Sequence, residues 1–188
     1  FVLTLFEELN AEEAAFLAPL LQHLQHAGVS VAAPLTASNG QCLLTLKGKP
    51  AQLARRIAGT HPQPVTVVQC TAMGKALATL HLALKKYPLK RHSAHGLKWW
   101  QAEAKKARAK MTAIEQLLLD TVLDDFEETI EDFDDLPKGL IHGDLFRDNT
   151  LFDGDQLTAI LDFSEAGKDY WLLDIAITVN DFCSDWPN

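Results

Sequence analysis

Residues Leu140–Phe152, LIHGDLFRDNTLF, carry a His-Gly-Asp triplet whose Asp144 stands five positions before Asn149, and a further carboxylate, Asp162, opens the downstream string DFSEAG. One reading is a polar turn between strands. The other is a site. A carboxylate held at a strand end accepts a proton, while a neighbouring carboxylate and an amide oxygen bind a hard divalent cation. Five residues are just enough chain for Asn149 to turn back toward Asp144. The hairpin that follows, turning at FDGDQ, brings Asp162 beside both.

Around this stretch the apolar strings GLIHGDL and QLTAILDF read as short strands that each end on an aspartate, and WLLDIAITVNDFCSDW returns to helical spacing through Leu172, Ile175, Ala176 and Val179. Upstream, VLTLF reads as a strand and Asn10 with Glu13 as a capping box. That box opens a helix along Phe16, Leu17, Leu20, Leu21 and Leu24, which Gly28 stops. VSVAAP and QCLLTL are extended segments, the second followed by the turn KGKP. Thr66–Lys85 reads as a buried helix with Val67, Val68, Met73, Leu77, Leu80 and Leu84 inward, and a longer helix occupies much of Leu97–Ile130. The fold class is α+β: strands and one helix, a connection, then helices around a small hairpin.

Composition narrows the function classes. At 188 residues and 47% hydrophobic, the chain buries a real core, in one domain or two small lobes. No run approaches about 18 consecutive apolar residues, and the amino end lacks a basic-then-apolar leader, so the expectation is a soluble, cytoplasmic protein without a membrane partner. Cys42, Cys70 and Cys183 are too few and too scattered for a disulfide framework or a thiolate zinc site, and are expected as reduced, mostly buried thiols. The pairs His23 with His26 and His92 with His95 lack further zinc ligands. The net charge of −8 is uneven: Asp124–Asp135 holds eight acidic residues and no basic one, whereas Lys85–Lys110 holds nine basic residues against Glu103. These runs are expected to face each other across a helical hairpin. With no recognisable nucleic-acid module, no nucleic-acid partner is expected.

HGDLFRDN followed by ILDFSEAG resembles the catalytic and metal motifs of the aminoglycoside phosphotransferase and choline kinase superfamily, relatives of the protein kinases. Within it, VLTLFE, HGDLFRDNTLFDGDQLTAILDF and LLDIAITVNDFC resemble the homoserine kinases. The resemblance implies a two-lobe protein-kinase-like fold truncated at both ends, with residues 1–57 the remnant of a nucleotide-binding lobe and 58–188 a largely helical lobe. Both chain ends read as interrupted, and the turn that covers the phosphates is expected ahead of Phe1. The implied cofactors are ATP and Mg²⁺, and the implied acceptor is a small alcohol, foremost L-homoserine. Asp144 is then the base or hydroxyl orienter, Asn149 and Asp162 are Mg²⁺ ligands, and His142 braces the loop. Asp174 fastens the loop from behind through backbone hydrogen bonds. Arg55, Arg56 and Ile57 resemble the connection that meets the base through backbone groups, or form a plain edge strand. Arg147, Asp148 and Asp181 are acceptor-binding candidates, or a salt bridge and caps. Thr4 stands where protein kinases place a phosphate-binding lysine, which leaves that cation unidentified. Competing readings are an aminoglycoside or choline kinase, a two-metal nuclease or phosphatase on Asp144, Asp162 and Asp174, and a kinase fold used only for binding.

Overall fold

The computed structural model describes residues 1–88, 91–93, 95–132 and 135–184. Lys90 of the basic run, Phe133 and Asp134 of the acidic run and the terminal DWPN fall outside them.

The chain opens on a three-stranded antiparallel sheet in which β3 (Lys49–Ala54) lies between β1 (Val2–Leu5) and β2 (Leu44–Leu46). Thr4 stands opposite Gln52, and Val2 opposite Ala54. The β2–β3 turn is narrower than KGKP. Lys47 and Gly48 take φ of 51° and 79°, the geometry of a two-residue hairpin that matches strand twist, and Lys49 and Pro50 already belong to β3.

The helix anticipated after Asn10 is two helices, α1 (Ala11–Ala14) and α2 (Leu17–His26). The Asn10–Glu13 capping box is present, with Asn10 Oδ1 accepting from the Glu13 amide at 3.0 Å. Pro19 gives a reason for the restart: it has no N–H for the carbonyl four residues back and its ring clashes there, so it is tolerated only in a first turn. Gly28, at φ +82°, ends α2. Beyond it, Val31 forms a parallel bridge with Ile160, and Pro34 an antiparallel one with Ala54.

Helix α3 (Val67–Leu84) starts at a Thr66–Gln69 capping box and buries Met73, Leu77, Leu80, His81 and Leu84. Val67 and Val68 are 83% and 55% exposed, contrary to the sequence reading, because they occupy the outward side of the first turn. By length and composition α3 would suffice to cross a membrane, yet here its apolar stripe lies in the core.

The single helix expected over 97–130 is a hairpin of α4 (Leu97–Ala107) and α5 (Ala113–Asp132). Thr112 and Glu115 cap each other at the break, with the Thr112 amide 2.7 Å from the glutamate. The hairpin is closed by Arg108, just after α4, which pairs with Asp120 ahead of the acidic run, by Gln101 Nε2 donating to Glu127 at 3.2 Å, and by Trp100 meeting Phe126 edge-on. The cysteines are free, but Cys42 and Cys70 are only partly buried and Cys183 is exposed. Their expected burial is not met.

Strand β4 (Lys138–Ile141) pairs with β7 (Gly167–Tyr170), which sequence reading did not anticipate, while β5 (Thr150–Asp153) and β6 (Gln156–Ile160) form the expected hairpin. Residues Arg91–Ser93 run beside β7, with the Lys168 amide donating to Arg91 O at 2.8 Å and the Ser93 amide to Lys168 O at 3.1 Å. Helix α6 (Trp171–Phe182) closes the described chain. Its Leu172, Ile175 and Val179 are exposed, whereas Phe182 is buried in the core.

One hydrophobic cluster joins these parts, running from Leu20 and Leu24 of α2 through Met73 and Leu80 of α3 to Leu140, Ile160 and Phe163. It crosses residue 57 without interruption. Each buried leucine contributes about 1.5–3 kcal/mol relative to exposure.

Two glycines test this packing. A Cβ on Gly167 would lie 2.6 Å from the Ser93 amide nitrogen and 2.7 Å from the His92 carbonyl carbon, so Gly167→Ala should cost about 1–3 kcal/mol. Gly74 sits within α3 with nothing within 4 Å of such a Cβ, and Gly74→Ala should gain up to about 1 kcal/mol. Urea unfolding of the two variants measures both, and opposite signs are the expected result.

Candidate functional site

The site is assembled around Asp174, a carboxylate with no solvent exposure in α6. It accepts the His142 amide on Oδ2 and the Gly143 amide on Oδ1, both at 2.9 Å, and His81 Nε2 donates to Oδ2 at 2.9 Å. His81 is itself stacked on Trp171, with ring centroids 5.1 Å apart. Burial alone would push the Asp174 carboxyl up. The three donors outweigh it and hold the group below the usual carboxylate range.

Above this clamp, β4 ends and the chain turns at Gly143, φ +82°, a conformation that suits glycine. His142 is buried, and its burial lowers the imidazole pKa and keeps the ring neutral. Nε2 lies 2.8 Å from Leu161 O and Nδ1 3.3 Å from the Asp144 amide, which assigns the proton to Nε2. The ring therefore ties the end of β4 to the end of β6.

Asn149 completes the loop. Its Nδ2 donates to Asp144 O at 2.7 Å and to Asp144 Oδ2 at 2.9 Å, and its own carbonyl accepts the Leu161 amide at 2.8 Å. Asp162 follows at φ +51°, with Oδ1 accepting from the Ser164 amide and hydroxyl at 3.2 and 2.7 Å. Asp144, Asn149 and Asp162 are thus brought together. Among the described residues, one oxygen of each has no hydrogen-bond partner: Asp144 Oδ1, Asn149 Oδ1 and Asp162 Oδ2. The Asp162 carboxylate oxygen and the Asn149 amide oxygen suit a hard cation, the Asp144 oxygen suits a proton, and the bond from Nδ2 to Asp144 leaves the Asn149 oxygen free. Burial raises the Asp144 pKa, and the charges of Asp162 and Asp148 add to it, against the lowering effects of Asn149 and His142.

Asp162 lies at one end of a cleft of about 770 Å³, and Arg55, Arg56 and Ile57 line it too. Val2, Thr4, Gln52 and Ala54 of the sheet and Leu151 and Ile160 of the β5–β6 hairpin line it as well. The connection that carries the arginines is pinned where Thr158 Oγ1 donates to Ala58 O at 2.8 Å. A Cβ on Gly59 would fall 2.6 Å from that hydroxyl oxygen. Arg147 and Asp181 pair with each other: the Arg147 amide donates to Oδ2 at 2.6 Å, and Nε to both oxygens at 3.2 Å. Asp148 is exposed. His81 was missed by sequence reasoning. Its only signal was a histidine at a buried register position, four residues after Leu77.

Two substitutions separate bracing from chemistry. Asp174→Ala leaves two buried amides and His81 without an acceptor, and should cost about 3–5 kcal/mol in denaturant unfolding. Because the folded pKa is depressed, the stability Asp174 contributes is fully present above the unfolded value of about 3.9 and is lost as pH falls through the folded one. Asp144 has the opposite sign. Its raised pKa means that the ionised form opposes folding above the folded pKa, so Asp144→Asn should keep or raise the melting temperature at pH 7. A fall of several degrees would contradict that reading.

Comparison with known proteins gives the family and the fold. The family model described as the phosphotransferase enzyme family, APH, matches residues 1–188. The chain is 37% identical over 189 residues to a homoserine kinase of Janthinobacterium sp. (strain Marseille) and 39% identical over 193 residues to one of Ralstonia pickettii (strain 12J), each alignment covering 98% of this chain and 58% of the relative. The chain therefore spans a little over half the length of these curated relatives. Among solved structures, it resembles amicoumacin kinase hAmiN in complex with AMP-PNP, Ca²⁺ and Ami, with a TM-score of 0.69, 18% identity and coverage of 95% of this chain and 56% of that one. It also resembles the GDP complex of aminoglycoside 2′-phosphotransferase-IIIa, with a TM-score of 0.70, 19% identity and coverage of 91% and 62%. The fold is accordingly protein-kinase-like, and the chain belongs to the APH phosphotransferase enzyme family.

Proposed function

We propose that the protein phosphorylates the hydroxyl of a small molecule with ATP, and that the acceptor is L-homoserine, yielding O-phospho-L-homoserine for threonine synthesis in the cytoplasm. The observation that carries this reading is the linkage of three residues: Asn149 holds Asp144 through its side chain and the Leu161 amide, next to Asp162, through its backbone carbonyl, and Asp162 lines a cleft of about 770 Å³. The curated relatives named homoserine kinase support the choice of acceptor.

Asp144 accepts a hydrogen bond from the acceptor hydroxyl on Oδ1, orients it for in-line attack and takes its proton as the hydroxyl oxygen bonds to the γ-phosphorus of ATP and the bond from that phosphorus to the departing ADP oxygen breaks. Its raised pKa makes it a better base than a free aspartate. Asn149 Oδ1 and Asp162 Oδ2 hold Mg²⁺, which when bound neutralises charge on the nucleotide phosphates. Backbone groups of Arg55, Arg56 and Ile57 meet the base, so residues 1–57 serve the nucleotide and 58–188 the chemistry. Homoserine carries a carboxylate and an ammonium. Asp181 orients Arg147 through Nε, leaving its terminal nitrogens for the carboxylate, and exposed Asp148 is placed for the ammonium.

Initial rates of ADP formation with Mg-ATP test the reading across L-homoserine, an aminoglycoside panel and choline. Turnover with homoserine alone is expected, and turnover only with an aminoglycoside or choline would replace the acceptor. Asp144→Asn should lower kcat about 10²–10⁴-fold with nucleotide affinity nearly unchanged, whereas Asp162→Ala should weaken Mg-nucleotide binding as well. Since Asp144 must be ionised, kcat/KM, which reports the free enzyme, should fall as pH drops, with a midpoint above that of an unperturbed aspartate.

A further inference from the structure

The turn that carries Asp162 is held from outside by a residue with no role in the chemistry above. Arg91 Nη1 donates to Ser164 O at 2.6 Å and to Ala166 O at 2.8 Å. One nitrogen reaches both carbonyls only while the chain between them keeps its present bend. The Arg91 guanidinium lies 4.7 Å above the centre of the Phe16 ring, and Phe16 stands at the entry to α2. The Arg91 backbone is fixed as well, since its carbonyl accepts the Lys168 amide of β7. Arg91 forms no ion pair among the described residues, so its fork is committed to the two carbonyls and the ring. A second tie lies alongside, where His95 Nδ1 is 3.0 Å from Glu165 Oε2.

The turn needs such support. Asp162 holds φ +51°, a left-handed conformation that side chains rarely adopt and that persists only where the surroundings over-determine it. Ser164 supports it from within through Asp162 Oδ1, and Gly143 approaches its far side, where a Cβ would meet Glu165 O at 3.1 Å. Arg91 adds a constraint from outside the turn, and its place over the Phe16 ring links that constraint to the entry of α2.

We propose that Arg91 is a positioning residue that sets the direction of the Asp162 carboxylate for the bound cation, and that through the Phe16 ring it ties this direction to the seat of α2. The inference rests on the reading of Asp162 as a Mg²⁺ ligand. Charge and position make opposite demands here. Removing a nearby positive charge would by itself tighten cation binding, whereas loosening the turn would weaken it. The direction of the effect therefore identifies the role.

The test follows thermal stabilisation of the purified protein by ADP during a Mg²⁺ titration, with the melting temperature without ligand recorded for every variant. Arg91→Met should raise the half-maximal Mg²⁺ concentration about tenfold while stabilisation by ADP in EDTA is unchanged. Arg91→Lys, which keeps a cation over the ring but one less suited to two carbonyls, should fall between. Phe16→Leu should raise the midpoint, and the double variant should be no worse than Arg91→Met alone, as coupled residues behave. An unchanged or lowered Mg²⁺ midpoint in Arg91→Met, or an additive double variant, overturns the proposal. If Arg91→Met does not fold, an unchanged midpoint in Arg91→Lys and Phe16→Leu overturns it equally. Absence of any Mg²⁺-dependent stabilisation in the wild-type protein would instead overturn the reading of Asp162 as a ligand.

Discussion

A single buried carboxylate receives the backbone of the reactive loop. Asp174 takes the amides of His142 and Gly143, one on each oxygen, and His81 adds a third bond from α3. These amides sit where β4 has ended and no strand partner remains for them, so a buried acceptor is the way to satisfy them. The geometry of everything downstream depends on it. With the His142 backbone fixed, its ring reaches Leu161 O, and Leu161 in turn presents its amide to Asn149. The order of the loop is thus set by a chain of short polar contacts that begins in the core and ends at Asp162.

The site concentrates its local costs where ligand chemistry needs them. Asp162 is held in a left-handed conformation, and Asp144 is a carboxylate whose burial and acidic neighbours disfavour its charged form. Neither feature favours folding. Both are offset by the surrounding packing, where Phe163, immediately after the strained aspartate, is 2% exposed and lies 4.5 Å, ring to ring, from His142. An aromatic anchor beside a strained polar residue lets hydrophobic burial hold a conformation that the polar residue would not keep alone.

Much of this was legible in the sequence, for reasons that differ from element to element. HGD, Asn149 and Asp162 are visible because the roles proposed for them demand particular side chains at short spacing, and the Asn10–Glu13 box because capping is a local contact. The break between α4 and α5 was legible in principle, since Thr112 and Glu115 spell a capping box, but the apolar spacing continues across it and the helix reading prevailed. Strand β7 could not be read, because Gly-Lys-Asp-Tyr is neither apolar nor alternating and becomes a strand only by pairing with β4 about thirty residues away. The same holds for His81 and Arg91, whose partners lie far along the chain. Arg55, Arg56 and Ile57 line the cleft, and the role proposed for their backbone groups leaves no side-chain signature.

The hydrophobic cluster that crosses residue 57 bears on cooperativity. Helix α2 packs on α3 and belongs to one apolar cluster with Ile160 of β6, so neither half of the chain owns a complete core. Heat or denaturant should then melt the described structure in one transition, with the same midpoint for a tryptophan probe in α6 as for backbone signals. The shared core also limits mechanical freedom. Motion that opens the cleft must leave α2 seated and swing the three strands against it, so the compliance of the molecule belongs to β1–β3 and the connection after Ala54, while the α2 face acts as a fixed bearing.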